Sequence, residues 1–340
     1  MVSANNLISI FGTSLIFLGS SSGAWYENDA APYADPYITE GLPAYKDTTS
    51  DAGARKEFDY IIVGAGTAGC VVARRLSDAG HSVLVLDQGE DWQQTEDWWK
   101  ATRAPRNSRE PHDASPLLQR FDSESNPALF GRQVPVVLGA TLGGTSSINN
   151  GYYWRPEDRD FDMHWGEGWS SAEVASFFSA AEEQMKLQNG SGETLGGAWM
   201  AAANAAGVPS LPGSALTMQG NASGIFLPKT VFVNSRRMDA FKAYLRPIMP
   251  RKGLEVRTRA SIAKLIIVQD SDVKRAIGAV YMLAGQRRVS VYAKREVILA
   301  AGWLGSPKVL MMSGIGPAAS LRSVGVTSII DVPGQGEVEA

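Results

Sequence analysis

The hexapeptide GAGTAG sets Gly64, Gly66 and Gly69 in a G-x-G-x-x-G spacing. Asp87 follows about 20 residues past the last glycine. Each position has a distinct chemical task. The first glycine permits a tight turn, the second lets the backbone approach a pyrophosphate, and the third lets a helix pack closely on a strand. A helix opening at Thr67 offers free N–H groups to phosphate charge. Asp87 is suited to accept hydrogen bonds from the ribose of an adenosine. The pattern alone does not separate one dinucleotide from another. A second stretch, GATLGGTSSINNGYYWR over residues 139–155, is rich in glycine, hydroxyl and amide side chains and ends in aromatics. It is too irregular for a helix and lacks the alternation of a strand.

The elements that must position these residues are legible around them. Residues 58–63 form a short apolar run ending in glycine, which predicts a buried parallel strand. Residues 67–79 predict a helix with Val71, Val72 and Leu76 inward, and 82–86 predict the next strand. Together these make a β-α-β unit. Cys70, beside the last glycine, reads as a small buried hydrophobe. Residues 91–126 are polar and rich in Trp, Arg and Pro, and predict an irregular surface segment. Residues 170–186 predict an amphipathic helix. Ser170 and Glu173 form a capping-box pattern there, and Val174, Phe177, Phe178, Ala181 and Met185 share one face. Residues 237–245 predict another helix. From Leu254 the pattern turns to strands: LEVRTRASIAKLIIV, AIGAVYML and VSVYAKREVILAAG, with Gly-Gln as the turn between the last two.

Composition narrows the classes of function. The chain has 340 residues, 44% hydrophobic and 20% charged, with a formal net charge of −3. No Lys/Arg block offers the electrostatic footprint of a nucleic-acid binder. The three histidines and the single cysteine have no metal-ligand spacing, so no metal is expected and no intramolecular disulfide can form. Residues 7–19 are an apolar run of export-signal length, followed by small residues up to Ala24. Residues 1–24 are therefore expected to act as a signal peptide, although no Lys or Arg precedes the apolar run. The expected location is extracellular; an uncleaved segment would make it a membrane anchor instead. Two Asn-x-Ser triplets, at Asn189 and Asn221, fit export into a glycosylating compartment. Residues 25–56 read as an exposed lead-in.

Three segments, FDYIIVGAGTAG, LGATLGGTSSINNGYYWRPEDRDFD and REVILAAGWLGSPKVLMMSGIGP, resemble in order the motifs of the glucose-methanol-choline (GMC) oxidoreductases. The resemblance runs over residues 58–336. It implies an α/β Rossmann-like FAD-binding domain over 57–155 and 251–336, with a partial α+β substrate domain over 156–250. It also implies site residues. Gly64, Gly66, Thr67, Ala68 and Gly69 would lie at the pyrophosphate, and Asp87 and Gln88 at the ribose. Thr141, Thr145, Asn149, Asn150, Gly151 and Tyr152 would line the flavin. Ile262 would lie against the adenine, and Ala301 and Gly302 would pass near the cofactor. Some members bind flavin covalently through a histidine at the position of Ile148, so FAD here is expected to be non-covalent. Ala140 stands where the family has a basic residue, and Trp303 where it has a small one, a change the sequence does not explain.

Other chemistry-bearing residues have plainer readings. His164 reads as a surface or packing histidine, and Glu157, Asp158, Asp160 and Asp162 as a solvated loop with helix-capping acids. Trp92, Trp98 and Trp99 fit a substrate entrance or loop packing equally. The resemblance further implies a C-terminal segment carrying the catalytic histidine, which takes the alcohol proton while hydride goes to the flavin. This segment is expected to be absent here, so no catalytic residue is assigned. The implied activity is oxidation of a CH–OH donor, a small alcohol of choline-like kind. The alternatives are a non-catalytic flavin-binding remnant, and a lyase or decarboxylase on the same scaffold. An NAD-dependent dehydrogenase would leave the 139–155 loop without a purpose.

Overall fold

Three apolar strand segments alternate their side chains between two cores. Ile61 and Val63 face one side and Ile62 the other; Leu84 and Leu86 oppose Val83 and Val85; Val297 and Leu299 oppose Ile298. A sheet buried on both faces needs apolar residues at every position, which is what these runs supply. The computed structural model describes residues 56–91, 117–156, 158–190, 195–211, 224–234, 236–270, 273–283 and 287–333. The expected signal peptide, nearly all of the lead-in, Trp92, Trp98, Trp99, Glu157, Asn221 and the Gly-Gln turn lie outside the described residues.

Strand β1 (Glu57–Val63), helix α1 (Thr67–Asp78) and strand β2 (Val83–Leu86) form the β-α-β unit. Their bounds match the sequence expectation to within a residue or two. The residues of α1 that are fully buried are Gly69, Cys70 and Ala73, with Val71, Val72 and Leu76 only partly covered. A hairpin follows, β3 (Leu118–Asp122) and β4 (Pro135–Gly139). It corrects the expectation of an irregular segment up to residue 126: LQRFD has no apolar alternation, and its pairing partner lies beyond a turn. Helices α2 (Asp158–His164), α3 (Ser171–Gln184) and α4 (Leu195–Ala205) come next. In α3 the capping box between Ser170 and Glu173 is formed in both directions. Val174 is buried, but Phe177 is 69% exposed, so the inward face is narrower than its five apolar residues suggested.

The segment expected to be a helix over 237–245 differs. Arg236–Arg237 pair as a short strand with Phe232–Val233, and a wide helical turn covers only Phe241–Leu245. The Lys242 N–H donates to the carboxylate of Asp239 at 2.9 Å, which starts the turn late. A proline in the next short turn, Arg246–Ile248, limits it at the other end.

Strands β5 (Leu254–Arg257), β6 (Ala260–Asp270), β7 (Val273–Leu283) and β8 (Arg287–Leu299) complete a six-stranded sheet. Its order is β6-β7-β8-β1-β2-β5. The sequence run LEVRTRASIAKLIIV is thus two strands, broken at Arg259, whose φ is +53°. Strand β8 serves two partners. Its first half pairs antiparallel with β7 and its second half parallel with β1. The edge strands β5 and β6 are adjacent in sequence, so the sheet must curl until its two edges meet. The Ala260 N–H donates to the Asp87 carbonyl at 2.8 Å, bringing the start of β6 to the end of β2. Helix α5 (Gly302–Met312) then covers the Ile61 face, and a short helix α6 (Ala318–Ser323) follows.

Candidate functional site

The turn between β1 and α1 lies at the carboxyl ends of the parallel strands, where open α/β sheets bind ligands. Gly64 N–H donates to the Leu86 carbonyl at 2.7 Å, tying the turn to β2. Asp87 completes the tie. Its Oδ2 accepts the Ala65 N–H at 2.7 Å, and its Oδ1 accepts the Gly89 N–H at 2.8 Å. Burial pushes this carboxyl above its ordinary range, against the pull of those two N–H groups. Each carboxylate oxygen keeps further acceptor capacity for a ribose hydroxyl. An Asp87→Asn exchange puts an NH2 against one of the two backbone N–H groups. It is expected to lower stability by about 1–3 kcal/mol, read as a shifted thermal midpoint.

Helix α1 begins without a side-chain cap. Gly66 at its N-cap has nothing to offer, and no acid stands in the first turn. The first N–H groups of a helix carry partial positive charge and need partners. An anion placed here would meet that need. Cys70 lies one turn in, its Sγ 3.1 Å from the Ala65 carbonyl, fully buried, with burial pushing its thiol up. It is packing, not a reactive thiol.

The second motif is brought against the first. The Gly143 N–H donates to the Ala65 carbonyl at 2.8 Å. Gly144, at φ +55°, approaches so closely that a Cβ there would stand 2.9 Å from the Gly66 Cα. The Thr141 hydroxyl donates to the Glu90 carbonyl at 2.8 Å. Thr141 is 1% exposed, and this bond anchors the loop to the segment after β2. Thr145, Asn149 and Asn150 are exposed. Gly151 is buried, its N–H donating to Asn149 Oδ1 at 3.0 Å. Tyr152 is 59% exposed and pairs with Thr230. Gln88 turns away from the turn, its Nε2 donating to Gln119 Oε1 at 2.8 Å.

The remaining expected residues come from the far end of the chain. The Ala300 N–H donates to the Val63 carbonyl at 2.7 Å, which sets Ala301 and Gly302 beside the glycine turn at the start of α5. Ile262 lies on β6, two residues past the bond from Ala260 to Asp87. Trp303 is 52% exposed, and the structure gives no reason for its size. Asp158 and Asp160 occupy the first turn of α2, and Asp162 accepts the N–H and hydroxyl of Ser171. His81 packs edge-on against Tyr60. Among the described residues no three His, Cys, Asp or Glu are placed to hold a metal ion.

Sequence reasoning missed one group. Arg237 is 3% exposed and lies behind the 146–149 loop. Nothing in NSRRMD separates it from Arg236, which is exposed.

An uncapped helix start between two interlocked glycine turns, with an acid at the end of the second strand, defines an α/β dinucleotide-binding protein. Residues 58–329 match the family model described as GMC oxidoreductase. The chain belongs to the GMC oxidoreductase family, and the cofactor this membership brings is FAD. The oxygen-dependent choline dehydrogenase of Brucella anthropi is 34% identical over 301 residues, covering 83% of this chain and 52% of its own length. That of Photobacterium profundum is 34% identical over 302 residues, covering 82% and 50%. The chain spans about half the length of these curated relatives. Among solved structures, pyridoxine 4-oxidase from Mesorbium loti superposes with a TM-score of 0.67 at 24% identity, covering 81% of this chain and 55% of its own. An FAD-dependent oxidoreductase from Chaetomium thermophilum gives 0.64 at 25%, covering 82% and 51%.

The residues present fit FAD. The open helix start suits its pyrophosphate, Asp87 its ribose, and the exposed amides of Asn149 and Asn150 the polar edge of its ring.

Proposed function

We propose that this chain is the flavin-binding portion of an FAD-dependent oxidoreductase acting on the CH–OH group of a small alcohol. The observation that carries it is the interlock of residues 64–69 with residues 139–151 around an uncapped helix start. FAD, when bound, supplies the redox chemistry by accepting hydride from the alcohol carbon. The chain's own residues bind and orient it. The N-terminal turn of α1 meets the pyrophosphate charge, and Asp87 fixes the ribose. Thr145, Asn149 and Asn150 satisfy the ring's polar edge. Ile148, half-buried in the same loop, has no nucleophile to offer, which supports non-covalent attachment. The base that takes the alcohol proton belongs, on this proposal, to the part of the family's fold beyond the matched region. General base catalysis is worth about 10²–10⁴-fold, so turnover depends on that part.

Anaerobic addition of choline, a benzylic alcohol and pyridoxine to the FAD-loaded protein tests the proposal. Bleaching of the visible flavin band by at least one alcohol is expected when the chain is joined to the remaining half of a relative's fold. A flavin that is bound but bleached by none of them, while dithionite bleaches it, would contradict alcohol oxidation. Residues 1–24 are proposed to direct export, so the secreted protein is expected to start at Trp25 on N-terminal sequencing.

A further inference from the structure

Arg237 is a buried cation with unusual partners. Its Nη1 donates to the Asn149 Oδ1 at 2.8 Å and to the Ser146 carbonyl at 3.2 Å. Its Nη2 donates to the Asn149 carbonyl. The guanidinium lies over the Phe232 ring, 4.9 Å from the centroid. Lys242 Nζ donates to the Arg237 carbonyl at 2.9 Å, and the charge of the fully buried Asp239 acts on the guanidinium. Among the described residues, the buried Nε of Arg237 has no hydrogen-bond partner. A buried arginine with an unmatched N–H is a poor way to fill space, because desolvating the charge is costly. What the arginine does achieve is to hold three acceptors of one loop with a single rigid fork.

We infer that Arg237 is a positioning residue for the flavin, fixing the Asn149 amide with its NH2 turned outward as a donor to the flavin's polar edge. The inference rests on the flavin reading above. The direction of the amide follows from its partners. Oδ1 accepts two N–H groups, from Arg237 and from Gly151. An amide turned the other way would point its NH2 at both donors. Arginine stays charged at any working pH, so the inward position never accepts an NH2. Nδ2 is therefore left on the exposed side of the loop, with no protein partner among the described residues. Thr145 and Asn150 of the same loop are exposed as well. Ser146 stiffens the same loop from behind, its hydroxyl donating to the Gly143 carbonyl at 2.6 Å and accepting the Ala240 N–H at 3.1 Å.

An Asn149→Asp exchange separates this role from a purely structural one. A carboxylate accepts the same two inward N–H groups and gains an ion pair with Arg237. The apo-protein is expected to melt at the same temperature or higher. The outward donor, however, becomes an acceptor. FAD affinity, read by titration of the apo-protein with flavin fluorescence, is expected to fall about tenfold or more. The visible flavin band is expected to shift and the flavin reduction potential to fall. In an Arg237→Lys background, where the fork is lost, the same exchange at Asn149 is expected to cost markedly less. Wild-type affinity with an unshifted band in Asn149→Asp would overturn the inference, and so would failure of that variant to fold. Equal effects of Asn149→Asp with Arg237 or Lys at 237 would also overturn it. If the unaltered chain itself takes up no FAD, the flavin reading falls, and the inference falls with it.

Discussion

Replacing Gly69 by alanine is expected to weaken FAD binding by at least ~100-fold. Gly69 lies in the first turn of α1, pressed against the turn that opens the site. An added Cβ would overlap the carbonyl oxygen of Gly64, and would sit 3.0 Å from the Gly64 carbonyl carbon and 3.4 Å from the Ala300 side chain. The obstructing atoms are mainly backbone and cannot rotate away. Either α1 moves off β1 or the turn is rebuilt. Overpacking a core costs about 1–3 kcal/mol, and a clash with backbone belongs at the upper end. The larger effect is on binding. The helix start and the Asp87 carboxylate are positioned by the same turn, through the Ala65 N–H. Displacing α1 parts the phosphate-binding N–H groups from the ribose-binding acid. FAD affinity is expected to fall at least ~100-fold, equivalent to about 2.7 kcal/mol. Gly80→Ala is the control for lost stability alone: at φ +81° an alanine there is strained, but nothing lies within 4 Å of its would-be Cβ and the site's turn is untouched. Titration of both apo-proteins with FAD checks the expectation. Near-normal binding by Gly69→Ala would mean that this close packing does not support the site.

Removing the charge of Glu182 is expected to be the most destabilising change outside the turn. Its Oε1 accepts Arg155 Nε at 2.5 Å and the Tyr153 hydroxyl at 3.1 Å, and its Oε2 accepts Lys229 Nζ at 2.9 Å. The side chain is only 14% exposed. Burial alone would raise its pKa, but the bonds from Arg155 and Lys229 outweigh it and hold the carboxyl at about 2. Glu182→Gln leaves two half-buried cations without their anion, a loss of about 3–5 kcal/mol. The pH dependence has a definite sign. A carboxyl depressed from its ordinary 4.5 to about 2 contributes stability that is fully present above about pH 4.5. That stability, about 3 kcal/mol from the shift, disappears as pH falls from 4.5 toward 2. Denaturant midpoints measured down this range are expected to drop steeply for the unaltered chain and more shallowly for Glu182→Gln. Parallel curves would place the acid sensitivity elsewhere. Because Tyr153 and Arg155 directly follow the 139–151 loop, the variant is also expected to loosen Tyr152.

The β-α-β unit was readable because its signals are local. The apolar runs at residues 58–63 and 82–86 and the three glycines between them need no distant partner to interpret. The Ser170–Glu173 box is equally local, and it forms as the spacing suggested. The misses share a cause. LQRFD becomes a strand only because residues 135–139 pair with it. The break at Arg259 is set by the curl that joins Ala260 to Asp87. The Thr141 hydroxyl donates to the carbonyl of Glu90, 51 residues away, a partner no local pattern names. Arg237 is buried by partners 88 and 91 residues away, which no local pattern announces.

The absorbance spectrum of the purified chain, taken before and after acid precipitation, tests the central claim most directly. The account predicts visible flavin bands at close to one FAD per chain, with the colour released into the supernatant because Ile148 cannot hold it covalently. A folded, colourless protein that takes up no added FAD would contradict the flavin site. Colour retained in the precipitate would contradict the non-covalent attachment.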